Sequence, residues 1–99
     1  MNVTFLQPAE YELDQAVNYY NSELVGLGDL FQHEVLRAMA RIKAFPRAYQ
    51  ILSKRTRRCL ISKFPYGVIY HYKEIEDEII IIAIAHLHRK PEYWQQRKS

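Results

Sequence analysis

Seven consecutive apolar residues at positions 79–85, IIIIAIA, constrain this chain more than any other stretch. A run of that length, rich in isoleucine and bounded by Glu78 before it and His86 after it, is a strand buried on both faces. Such a strand needs a neighbour on each side and a cover over each face, so the remaining residues must be arranged around it. Immediately upstream, residues 67–73 alternate, with Val68, Tyr70 and Tyr72 on one face and Ile69 and His71 on the other. The acidic residues 74–77 then join the two strands as an antiparallel hairpin. Further upstream, Arg58, Leu60, Ser62 and Phe64 alternate with Cys59, Ile61 and Lys63 in a strand that Pro65 ends. Past the apolar run, His86, His88, Arg89, Tyr93 and Trp94 emerge together at one end of the sheet. Chemistry or recognition is expected there.

The amino-terminal half supplies the cover. Residues 2–6 read as a first strand bounded by Pro8. Ala9, Leu13, Ala16, Val17, Tyr20 and Leu24 then recur at spacings of three and four, the pattern of an amphipathic helix whose first turns carry Glu10, Glu12 and Asp14. After a turn bracketed by Gly26 and Gly28, a second helix places Phe31, Val35, Ala38, Met39, Ile42 and Phe45 on one stripe and stops at Pro46. So short a connection makes the two helices an antiparallel hairpin, and their narrow apolar stripes require a sheet beneath them. Residues 47–56 have no clean period and read as a loop. Pro91 starts a last short helix carrying Tyr93, Trp94 and Arg97. The expected architecture is a single α+β domain over residues 1–99, a helix hairpin packed on one face of a curved antiparallel sheet.

Charge is segregated along the chain although the net value is only +3. Between residues 35 and 73 there are ten Lys and Arg and no Asp or Glu. A solvated surface usually mixes signs, so this segment is expected to face phosphate or an acidic protein. One cysteine, Cys59, excludes an internal disulfide framework and suits a reducing compartment. No apolar run approaches the ~18 residues of a membrane helix, and the amino end lacks the basic and apolar regions of a signal peptide. A cytoplasmic protein that does not engage membranes is the expectation.

Three stretches carry a family likeness. They are RRCLISKFPYGVIYHY at residues 57–72, IIIIAIAHLHRKPEYWQQR at 79–97, and PAEYELDQAVNYYNSELVGLGDLFQHEV at 8–35. Together, and through the patterns FPYGVIY and HxHRxPxYW, the chain resembles the RelE/ParE superfamily of toxins from bacterial type II toxin-antitoxin modules, also called plasmid stabilisation proteins, and leans toward the ParE branch. The resemblance implies a growth-inhibiting toxin with an acidic antitoxin that folds on binding, either as a homodimer or in a heterotetramer with that antitoxin. It implies one of two targets. A ParE-like chain binds DNA gyrase and catalyses nothing, whereas a RelE-like chain enters the ribosome and cuts messenger RNA. The nuclease branch would place Arg58, Arg89 and Tyr93 at catalytic positions. It also expects cations where this chain has Gly67 and Leu60, a departure that favours the gyrase branch.

Metal-free RNA cleavage needs a base, an acid and cations at the phosphate. His86 or His88 would serve as base or acid, Arg58 and Arg89 would neutralise charge, and Tyr93 would stack on a base. The competing reading makes His86 the hydrogen-bonded end of a buried strand and Trp94 a cover for the sheet. For recognition of antitoxin or target, the expected residues are Lys54, Arg55, Arg57, Arg58, Lys63, Arg89, Trp94 and Arg97, with the edge of the third strand open to pairing. His86 and His88 are expected to share one strand face, yet no acid or cysteine completes a metal set with His71, His86 and His88, so neither metal nor cofactor is expected.

Overall fold

The structure is a computed structural model that describes residues 1–90 and 92–98. Its elements are β1 (Asn2–Phe5), α1 (Gln7–Glu23), α2 (Leu27–Ala44), β2 (Gln50–Ile51), β3 (Arg57–Leu60), β4 (Tyr66–Lys73), β5 (Glu78–His86) and α3 (Glu92–Gln95). The strands form one sheet in the order β1-β5-β4-β3-β2, with the apolar run in β5 between two neighbours. The α+β architecture expected from the residues is the one observed. β1 departs from the antiparallel expectation, because it runs parallel to β5 with Phe5 opposite Ile81. The other strand pairs are antiparallel.

A bulge in the β4–β5 pairing decides which residues face which core. Ile69 lies opposite Ala83 and Tyr70 opposite Ile81, so Ile82 has no partner of its own. An inserted residue of this kind shifts the alternation beyond it. Ile79, Ile81 and Ile84 therefore join Val68, Tyr70, Phe31, Val35 and Ile42 under the helix hairpin. Ile80, Ile82, Ala83 and Ala85 pack with Ile69 and Trp94 on the opposite face. Both faces of β5 are thus covered, one by helices and the other by the carboxy-terminal segment.

The hairpin is set by Gly28 and Asn21. A Cβ at position 28 would lie 2.1 Å from the Val17 carbonyl oxygen, so only glycine admits this approach of α2 to α1. The Gly28 N–H, one of the donors a helix start leaves without a partner, donates to Asn21 Oδ1 at 2.7 Å. No helix among the described residues is long and apolar enough to cross a membrane.

Three sequence expectations about the sheet need correction. Within the expected loop at 47–56, Gln50 and Ile51 pair with Arg58 and Arg57, so the outer edge belongs to β2, and the expected third strand at residues 67–73 is β4, which lies between β5 and β3 and is not an edge strand. β3 stops at Leu60 and does not reach Phe64. Lys63 sits at φ 74°, in the left-handed region, and turns the chain toward Pro65 and β4. β5 ends at His86, so His88 lies beyond the strand and the two histidines do not share a strand face. The expected helix start at Pro91 falls outside the described residues; the described helix begins at Glu92.

β1 ends level with Ile81, where Leu6 N donates to the Ile81 carbonyl at 3.0 Å. The next edge groups of β5 would be orphaned there, and a side-chain ion pair takes the place of the missing strand. Ile84 N donates to Glu12 Oε1 at 3.1 Å, and Arg97 Nη1 donates to the Ile82 carbonyl at 2.9 Å. Arg97 and Glu12 are joined by two parallel bonds of 2.9 and 3.0 Å, the geometry in which a guanidinium and a carboxylate interact most strongly.

Removing one member of this mostly buried pair leaves a charge and a strand edge unsatisfied. Glu12→Gln and Arg97→Met should each cost about 2–3 kcal/mol of stability, toward the low end of what breaking a buried ion pair costs. The double substitution should cost less than the sum. Urea titrations of the four proteins measure this, and additivity within ~0.5 kcal/mol would show that the pair is not coupled.

Tyr70 is fully buried and donates its hydroxyl proton to the Pro46 carbonyl at 2.7 Å. Burial, partly countered by the Arg57 charge, pushes its pKa up to about 12. The unfolded chain then releases that proton near pH 10 while the fold retains it. The stabilisation is complete below pH 10 and is lost as pH rises from 10 toward about 12. Tyr70→Phe should flatten the alkaline loss of stability and cost about 1 kcal/mol at pH 7. An unchanged alkaline slope would exclude Tyr70 as its source.

Candidate functional site

The end of the sheet where β5 runs out carries the residues singled out from the sequence, and the fold sorts them into different duties. Arg58 leaves β3 on the face opposite the helices, beside Ile69, its partner across the β3–β4 ladder. It donates from Nη2 to Gln50 Oε1 at 2.7 Å. Arg89 follows the turn after β5. Arg58, Arg89 and His86 converge on a cavity of about 200 Å³ whose other walls include Leu52, Ile69, Leu87 and Trp94.

Tyr93 does not line that cavity but lies close by. It lines a neighbouring groove of about 370 Å³ against α1, which His86 and Arg89 also border, together with Tyr11, Glu12, Tyr19 and Tyr66. The His88 ring lies 5.3 Å from that of His86. The Arg89 guanidinium lies 3.8 Å from the centroid of the Tyr93 ring, with Arg97 at 5.2 Å. One face of the ring is therefore taken up by a cation–π contact. Burial first, and the neighbouring Glu12 carboxylate second, push the Tyr93 pKa up to about 12, so it stays a neutral phenol. His88 is exposed, and its backbone N–H donates to His86 Nδ1 at 3.1 Å.

Several residues expected to meet a partner also make contacts within the fold. Trp94 is 4% exposed and packs on Ile80, Ile82 and Ala83, so its ring covers the sheet and is not offered to a partner. Arg97 is held by Glu12. Arg57 points to the helix side, where Nη1 donates to the Arg47 and Tyr49 carbonyls at 3.0 Å each and fixes the chain leading to β2. Adjacent arginines on a strand face opposite ways, which divides the basic run that looked continuous in sequence. Lys63 lies 3.7 Å from the buried carboxylate of Glu34. Arg47, also within the basic segment, pairs with Glu74.

Lys54 and Arg55 remain at the surface, on a tight turn. The Ser53 and Thr56 hydroxyls meet at 2.6 Å, and Leu52 N donates to the Thr56 carbonyl at 2.9 Å. The turn projects both cations beside His71, whose pKa is lowered by burial and by Arg55 and Lys73. Among the described residues no group of three His, Cys, Asp or Glu is placed to hold a metal ion.

Sequence reasoning missed Gln50 and the tyrosine groove. Gln50 carries no local signal, since its importance comes from a two-residue strand. The groove was findable, because Tyr11, Gln15 and Tyr19 recur at every fourth position beside the apolar stripe of α1 and two of them are largely exposed.

Comparison with known proteins agrees with this architecture. A solved structure described as "Chromosomal ParDE TA system from P. aeruginosa" superposes with a TM-score of 0.70 at 17% identity, covering 89% of this chain and 97% of that one. At that identity the likeness concerns the fold. A comparison with curated proteins finds no match. The family described as "ParE toxin of type II toxin-antitoxin system, parDE" matches residues 3–91. With nearly its whole length inside that match, the chain belongs to the ParE toxin family of type II toxin-antitoxin systems.

Proposed function

We propose that this toxin arrests growth by binding DNA gyrase without catalysing a reaction, and that an acidic antitoxin segment neutralises it by folding onto its surface. The observation that carries the reading is that Gly67 and Leu60 stand where the nuclease branch places cations. Arg58 and Arg89 line one cavity, and Arg89 also lies against the Tyr93 ring in the neighbouring groove. Two arginines so placed can hold an acidic group of a partner, which suits a binding inhibitor.

Binding inhibition needs exposed anchors, and the candidates are the cations the fold leaves at the surface. Lys54 and Arg55 stand on their turn, and Arg89 stands over Tyr93 at the end of the sheet. Arginines backed by aromatic rings are frequent interface anchors. Nearby cations also speed the approach of an acidic partner in a salt-dependent way.

Induction of the chain alone in bacteria should stop growth, and coexpression of its acidic antitoxin should restore it. Purified toxin should inhibit supercoiling by purified gyrase, while primer extension on messenger RNA from induced cells shows intact transcripts. Arg89→Ala should weaken gyrase inhibition by roughly thirtyfold, the equivalent of about 2 kcal/mol for an anchor residue. Codon-phased cuts together with unaffected supercoiling would overturn the reading in favour of the ribosomal nuclease.

A further inference from the structure

The end of the sheet remote from His86, where β3 begins and β4 ends, carries a second concentration of charge. A cleft of about 200 Å³ there is lined by Arg47, Lys54, Arg55, Arg57 and His71, with Glu74 as the one carboxylate among its described lining residues. Glu74 pairs with Arg47, so the cleft wall offers the other cations no acid. The Arg47 and Tyr49 carbonyls hold Arg57 at 3.0 Å each, which fixes its charge in place without neutralising it. The turn before β3 is pinned by its own bonds, since Leu52 N and Ser53 N both donate to the Thr56 carbonyl and Arg55 N donates to Ser53 Oγ at 3.3 Å. Its backbone is fixed while the exposed Lys54 and Arg55 side chains can swing over a bound group. His71 registers the field of these charges. Its pKa is lowered by burial first and then by Arg55 and by Lys73 on its own strand, against a smaller opposing pull from Glu76 in the hairpin turn.

Cations gathered in this way around a small space call for an anion. At about 200 Å³ the cleft is below the ~300–1,000 Å³ of pockets that enclose a whole small molecule, so it seats one charged group of a larger ligand. The neighbouring surface identifies that ligand. An open apolar patch of Phe45, Pro46 and Ala48 adjoins the cleft and shares Arg47 and Tyr72 with it. Phe45 is 66% exposed, and nothing in its backbone role at the end of α2 requires a ring. Cations that hold a phosphate, next to an uncovered ring that receives a base, are the combination by which single strands are bound. A duplex keeps its bases stacked on one another and would leave the ring unused, and an acidic side chain brings no flat face to lay on it.

We propose that this cleft and patch bind a single strand of nucleic acid, with a phosphate held in the cleft by Lys54 and Arg55 and an adjoining base stacked on Phe45. Phosphate contacts and stacking read no sequence, so the site accepts the strand whatever its bases. The site deepens the gyrase reading, on which it rests only in that gyrase works on DNA, and it is measurable with the toxin alone.

Fluorescence anisotropy of a short labelled oligothymidylate follows binding to the purified protein. Affinity should fall as salt rises, and the slope of log affinity against log salt should flatten by about 0.7 for each of Lys54→Gln and Arg55→Gln. Phe45→Ala should weaken binding about fivefold or more, while Phe45→Trp keeps it. Position 45 is exposed and its bonds at the helix end are made by the backbone, so neither change endangers folding. The His71 ring, titrated by NMR, should protonate at higher pH in the bound protein, because a phosphate offsets the charges of Arg55 and Lys73. A duplex of the same length and a polyglutamate of equal charge should each bind more weakly. Equal or tighter binding of either one, a Phe45→Ala protein that binds like the wild type, or an unmoved His71 titration would overturn the site. Gyrase inhibition without strand binding would remove the site and keep the target, and strand binding without gyrase inhibition would do the reverse.

Discussion

Where β1 ends beside Ile81, the central strand would expose backbone groups to a partly buried edge, and the Glu12–Arg97 pair supplies the missing partner. One carboxylate from α1 and one guanidinium from the carboxy-terminal segment replace a strand of backbone. The same contact ties three parts of the chain that are far apart in sequence. It holds the segment carrying Trp94 against the face of β5 that the helices leave open, so burial of Ile80, Ile82 and Ala83 depends on it. Deleting a large buried side chain in such a place costs about 2–5 kcal/mol, comparable to a substantial part of a small domain's stability. The cavity walled by Trp94 and the groove walled by Tyr93 both take their shape from where this segment is pinned.

The strands and helices were legible because their periods are long and clean. The run at 79–85 could only be a central strand, and the stripes through Ala9, Ala16, Phe31, Val35 and Ile42 could only be a hairpin resting on it. The bulge was not legible, because a run in which every residue is apolar contains no alternation from which a slip could be read. β2 was hidden for a different reason. Two residues carry no period, and Gln50 and Ile51 become a strand only when β3 lies alongside. The turn at Lys63 contradicted a plausible alternation because the left-handed conformation of a lysine leaves no mark in the composition around it.

For the site, composition identified the right neighbourhood but not the duties within it. Arg57 and Arg58 are chemically identical in sequence. The pleat sends one to carbonyls on the helix side and the other across Gly67 on the opposite face. Glu12 looked like an anion near a helix start, and Arg97 like one more cation in a polar tail. Their meeting depends on the path of the whole chain, which no local window contains. Trp94 followed the same rule: an aromatic at the end of an amphipathic turn can anchor a partner or cover a core, and the uncovered face of β5 determined which.

The segregation of charge also acquires a different meaning in three dimensions. The acid-free segment is not one basic face, because Arg57 is held by carbonyls, Lys63 lies beside the buried Glu34, and Arg47 pairs with Glu74. Lys63 and Arg47 stay largely exposed beside their acids, Lys54 and Arg55 stand on one turn, and Arg89 and Arg58 line one cavity. Cations held at fixed places by the protein's own backbone and acids make recognition depend on geometry as well as on charge. Tyr11 and Tyr19, largely exposed along the groove against α1, stand beside Arg89 and Tyr93, so the same end of the sheet sets rings as well as apolar walls next to its cations.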